Sequence, residues 1–140
     1  MKPLVIWLAI VVVVFGVFAV VSRSLQETSR VFVFVDASNP MGPVWRDVPR
    51  ELDRIADRDD TEFALARGQS RGGELVHSWQ DELRWSNVEP FAPCSFADIG
   101  TFTETAEADE RILLTTPASL DADDCDPSTL VDWEIVLIEP

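Results

Sequence analysis

Basic charge is scarce in this chain. Eleven Lys and Arg residues stand against 25 Asp and Glu, the formal net charge is −14, and Lys2 is the only lysine. So acidic a surface repels nucleic acid and anionic lipid headgroups, which excludes both as electrostatic partners and otherwise serves solubility. Histidine is scarcer still. His77 is the only one, and it falls in a stretch that reads as a hairpin, where a half-buried strand position accounts for it better than catalysis does. Glycines do not gather into a phosphate-cradling loop, no serine stands in a Gly-x-Ser-x-Gly turn, and no CxxC pair occurs. Those absences exclude the usual nucleotide-binding, hydrolase-elbow and dithiol-redox signatures. The two cysteines, Cys94 and Cys125, leave two alternatives: one disulfide in an oxidising compartment, or two separate thiols.

What is present begins with a long apolar run. Leu4–Val21 carries no charge, and as a helix it would extend about 27 Å, close to a bilayer core. The expectation is a transmembrane signal anchor over residues 1–21, with Trp7 near the interface. A cleaved signal with Val17-x-Ala19 as its weak small-residue site is the alternative. Lys2 precedes the run while Arg23 and Arg30 follow it, so charge does not orient it. A short tail before a single span implies a single-pass membrane protein with residues 22–140 outside the cytoplasm. Residues 22–30 read as a polar stalk and residues 31–140 as one α/β domain, the most that 140 residues suggest.

Val31–Val35 (VFVFV) is apolar without alternation, the pattern of a strand covered on both faces at the centre of a sheet. Asp47 and Pro49 open a helix whose stripe is Val48, Leu52 and Ile55. Glu62–Gln69 and Glu74–Gln80 flank Ser70–Gly73 as an antiparallel hairpin. Asp81–Pro93 is an irregular loop. Ser95 caps a second helix carrying Ile99, Phe102 and Ala106 to about Ala108. Arg111–Thr116 is a second buried strand, Ser119–Asp126 an acidic loop, Asp126-Pro127 the start of a short helix and Trp133–Ile138 a last strand.

Asp36, Ser38 and Pro40 follow the first strand directly, at the end where open α/β sheets bind ligands. Strand and loop together resemble those of von Willebrand factor A (VWA) domains, whose first metal loop is Asp-x-Ser-x-Ser. Such domains also place an antiparallel strand after the first helix. The resemblance implies that Asp36, Ser38, Ser95 and Thr116 meet around Mg2+ or another divalent cation, with a partner's acidic group completing the shell. Pro40 replaces the second serine and Thr116 the usual aspartate, so one carboxylate plus hydroxyls would make a weak site. Read without the family, Asp36 and Ser38 order the turn after the strand and Ser95 caps a helix. Cys94 and Cys125 would lie on that same face.

The fold class expected is α/β, a small mostly parallel sheet with an antiparallel edge hairpin and helices on both faces, a minimal VWA-like or Rossmann-like unit behind one N-terminal transmembrane helix. The function implied by the resemblance is a membrane-anchored protein–protein interaction or assembly module, not an enzyme. Its partner is another protein of the cell envelope. The alternatives are a structural accessory acting through its span, or a small hydrolase.

Overall fold

The computed structural model describes residues 2–24, 28–69, 72–86, 93–94 and 96–140; within the first helix it describes the side chains of residues 6–21. Five strands, β1 (Ser29–Val35), β2 (Thr61–Gln69), β3 (Gly72–Gln80), β4 (Glu110–Thr115) and β5 (Glu134–Leu137), form one sheet in the order β3-β2-β1-β4-β5. β1 runs parallel to β2 and to β4, β4 runs parallel to β5, and only the β2–β3 hairpin is antiparallel. The α/β reading with an antiparallel edge therefore holds. Of the residues expected as stalk, Ser29 and Arg30 belong to β1, paired with Thr61 and Glu62, residues 22–24 belong to the first helix, and residues 25–27 lie outside the described residues.

The unbroken VFVFV run is central because it feeds two cores. Val31, Val33 and Val35 face a layer of Met41, Val44, Trp45, Val48, Leu52 and Ile55. Phe32 and Phe34 face the other way, onto Phe96, Ile99, Leu113 and Leu130. Alternation on a strand buried on both sides separates small branched residues from aromatic ones, not polar from apolar. The stripe Val48–Leu52–Ile55 is buried on α2 (Val48–Ala56), which follows a 3-10 segment over Asn39–Asp47 with Pro43 inside it. That segment has no helical periodicity to announce it.

Other expectations are corrected in detail. The second helix is broken: a 3-10 turn over Phe96–Thr101 ends at Phe102, whose extended backbone (φ −75°, ψ 137°) precedes a short α3 (Thr103–Glu107). Phe102 leaves the helical path to reach Phe32 and Phe34, with ring centroids 5.8 and 6.5 Å away. The start of the acidic loop is also helical, α4 (Pro117–Leu120).

The transmembrane helix is the larger correction. Residues Lys2–Ser24 form a helix, α1, but among the described residues no helix is long and apolar enough to cross a membrane. The transmembrane, signal-anchor, single-pass and membrane readings are withdrawn accordingly.

Close approach at Phe102 depends on Gly73. A Cβ there would sit 2.7 and 2.8 Å from two carbons of the Phe102 ring and 3.1 Å from Phe34. Gly73→Ala is expected to destabilise the domain by about 1–3 kcal/mol, the usual cost of overpacking. Urea denaturation checks this, and an unchanged midpoint would refute it. Gly72, at φ 105°, supplies the turn conformation that a side chain disfavours.

The chain after β3 folds back as a strap. The Arg84 N–H donates to His77 Nε2 (3.2 Å), while His77 Nδ1–H donates to the Ser78 carbonyl (2.9 Å). The strap carries Leu83 and Trp85 onto the valine-side core, where Trp85 meets Trp45 edge to face at 5.5 Å. Both bonds require neutral imidazole with its proton on Nδ1. Burial lowers the His77 pKa from its ordinary 6.5, the Ser78 carbonyl opposes this, and the Arg84 charge lowers it further. The unfolded chain therefore takes up the proton first as pH falls. The stability contributed by His77 is complete above about pH 6.5 and is lost as pH drops through the lower folded value. His77→Gln is expected to flatten the stability profile between about pH 7.5 and 5.5. Equal slopes in urea titrations of both proteins would refute this.

Candidate functional site

The polar cluster at the carboxyl end of β1 sits at a switch point. From β1 the chain moves to β2 on one side, and it later returns to β4 on the other. Ligands of open α/β sheets bind where the strand order reverses in this way. The Asp36 N–H continues the ladder to the Leu114 carbonyl at 2.9 Å, which brings the loop after β1 against the end of β4.

Here the carboxylate turns inward. Asp36 Oδ1 accepts the Ser38 N–H at 2.8 Å, and Oδ2 accepts the Thr115 hydroxyl at 2.6 Å. Ser38 Oγ shares a hydrogen bond of 3.1 Å with Ser119 Oγ on α4. Asp36 and Ser38 are 2 % and 3 % exposed, Thr115 and Ser119 not at all. A buried carboxylate tolerates such a place because charge-assisted hydrogen bonds replace its water.

Of the four residues expected around a cation, the structure brings Asp36 and Ser38 together. Thr116 lies beside them at the start of α4, 4 % exposed, its carbonyl accepting the Ser119 N–H. Ser95 lies outside the described residues. The hydroxyl that reaches Asp36 belongs to Thr115, because alternation along β4 sends neighbouring side chains to opposite faces. Ser119 was not foreseen. Its signal was Thr116-Pro117-Ala118-Ser119, a proline-started helical turn that returns its fourth residue to the strand end.

This donor set does not fit a divalent cation. Among the described residues that meet here one carboxylate is present, each of its oxygens already accepts a donor, and two of the hydroxyls bond each other. Among the described residues no group of three His, Cys, Asp or Glu is placed to hold a metal. The nearby charge is paired as well: the register sets Arg67 beside Val35, and its guanidinium donates to Glu74 at 2.9 and 2.7 Å. At the opposite end of the sheet, both Glu110 oxygens accept Arg58 at 2.8 Å. Those bonds hold the Glu110 carboxyl below its usual range, and a hydrogen bond with Glu110 pushes Glu134 up.

Cys94 and Cys125 are disulfide-bonded, Cα atoms 5.4 Å apart. Cys125 is buried with Phe96, Ile99 and Leu130 in the phenylalanine-side core. The bridge thus stands on that layer.

Compared with family models, with curated proteins and with solved structures, the chain matches none.

Proposed function

We propose that the domain is a protein–protein interaction or assembly module of the VWA type that binds no metal, working in an oxidising compartment outside the cytoplasm. The observation carrying this reading is the inward-turned Asp36 cluster. The place where an α/β enzyme holds its reacting groups is occupied by residues bonded to one another and less than 5 % exposed. Asp36, Ser38, Thr115 and Ser119 then serve as a latch between the β1 loop, β4 and α4. Recognition is left to the outer surface. The Asp36-x-Ser38 loop and the antiparallel strand after the first helix support the family likeness, and the Cys94–Cys125 disulfide supports the compartment.

The test is cross-linking mass spectrometry on the full chain purified from its native source. A stoichiometric partner is expected, with cross-links on exposed residues of the domain and no heat from Mg2+, Mn2+ or Ca2+ in calorimetry. Turnover of ester or phosphate substrates that Ser38→Ala abolishes would overturn the reading.

A further inference from the structure

The two edges of the sheet are unequal. β3 is guarded: its pairing with β2 shifts register between Phe63 and Leu65 and again between Leu65 and Ala66, and the His77–Arg84 strap lies against it. Such irregularities keep an edge from accepting another strand. β5 has none of them. It pairs with β4 in unbroken register from Glu134 to Leu137, contains neither lysine nor proline, and among the described residues has no neighbouring strand on its other side.

Its side chains are also incompletely covered. Ile135 pairs with Leu113 and Leu137 with Thr115, which puts both on the phenylalanine-side face, yet they are 37 % and 44 % exposed. Val131, just before the strand, is 86 % exposed. A cavity of about 310 Å3 opens beside it, lined by Thr105, Arg111, Thr129, Val131 and Trp133 among others. Backbone direction matters too. The Ile138 N–H donates to the Thr115 carbonyl at 2.8 Å, toward β4. By alternation the N–H groups of Ile135 and Leu137 point away from the sheet.

Charge selects the occupant. Asp132, Glu134 and Glu139 flank the apolar residues, while Arg111, the basic residue at the cavity, donates to the Thr105 carbonyl at 2.7 Å. A second copy would set these carboxylates against their equivalents on a chain that also carries −14, which disfavours self-pairing. A segment alternating basic and apolar residues would meet both the carboxylates and the uncovered side chains.

We propose that the outer edge of β5 is a docking site for an extended, basic segment of a partner protein, which adds as a sixth strand and covers Ile135 and Leu137. Main-chain bonds to the outward N–H groups supply affinity, and alternate side chains supply choice. The proposal rests on the binding-module reading and names its surface.

The probe is a fluorescein-labelled (Lys-Val)4 peptide titrated into the full chain at low salt, with (Glu-Val)4 as the charge-reversed counterpart. Saturable anisotropy with the lysine peptide alone is expected, with new hydrogen-exchange protection at Ile135 and Leu137. Leu137→Pro removes one outward donor at a position that makes no bond to β4, and should weaken binding about 10-fold. Ile135→Arg leaves the backbone donors intact and should weaken it similarly, which decides the matter should the proline variant not fold.

Equal binding of the two peptides, affinity unchanged in both variants, or protection on β3 would overturn the proposal. So would concentration-dependent dimerisation that protects β5. A natively purified partner retained by Leu137→Pro and Ile135→Arg would overturn this surface while leaving the interaction module standing. Loss of every partner together with substrate turnover would remove both.

Discussion

Asp36→Ala is expected to lower the unfolding free energy of the domain by about 3 kcal/mol, well above the effect of an ordinary surface substitution. The substitution deletes the acceptors of two buried donors, the Ser38 N–H and the Thr115 hydroxyl. Each would stay buried without a partner, at a cost of about 1–3 kcal/mol. Relaxation of the β1 loop recovers part of that. Asp36→Asn keeps an oxygen for the Ser38 N–H and lets the Thr115 hydroxyl turn toward the new amide, so a loss nearer 1 kcal/mol is expected. Urea or guanidinium denaturation distinguishes the two variants. A negligible effect of Asp36→Ala would show that the latch holds nothing. A melting temperature that rises steeply with millimolar Mg2+ in wild type, and not in Asp36→Ala, would restore the cation reading by linkage.

The second large effect concerns the disulfide. Cys94 and Cys125 are 31 residues apart in sequence. Closing a loop of that size is worth about 3.5–4 kcal/mol through the entropy of the unfolded chain. Reduction, or the paired change Cys94→Ser with Cys125→Ser, should lower stability by about that amount, and the oxidised form should be indifferent to a chelator. The position adds to the expectation. Cys125 is 6 % exposed against Phe96, Ile99 and Leu130, so a serine there would also bury an extra hydroxyl. Comparing denaturation curves with and without reductant checks this. Agreement within about 1 kcal/mol would mean that packing alone holds the acidic loop.

Most of the sheet was legible because its signals are local. Val31–Val35 lacks alternation, and the structure buries it on both sides. The stripe Val48, Leu52 and Ile55 is a helical period, and those residues are the buried ones of α2. Asp126-Pro127 starts a helical turn, with Asp126 accepting the Ser128 N–H at 2.9 Å. What was missed depends on residues distant in sequence. Phe102 breaks its helix to meet Phe32 and Phe34, seventy positions earlier or thereabouts, and nothing near Phe102 announces that. Thr115 and not Thr116 reaches Asp36 because of strand parity, which a one-residue error in reading a strand end inverts. The apolar run at Leu4–Val21 reads as a span from its composition and length, yet among the described residues no helix is long and apolar enough to cross a membrane.

The edge-to-face indole pair, Trp45 and Trp85 at 5.5 Å, gives the molecule a built-in optical gauge. Trp85 is held there by a strap whose Arg84 amide rests on unprotonated imidazole, so mild acid that charges His77 also frees that indole toward water. Emission from the native chromophores should shift to the red along the same titration in which the domain loses stability, with no dye attached.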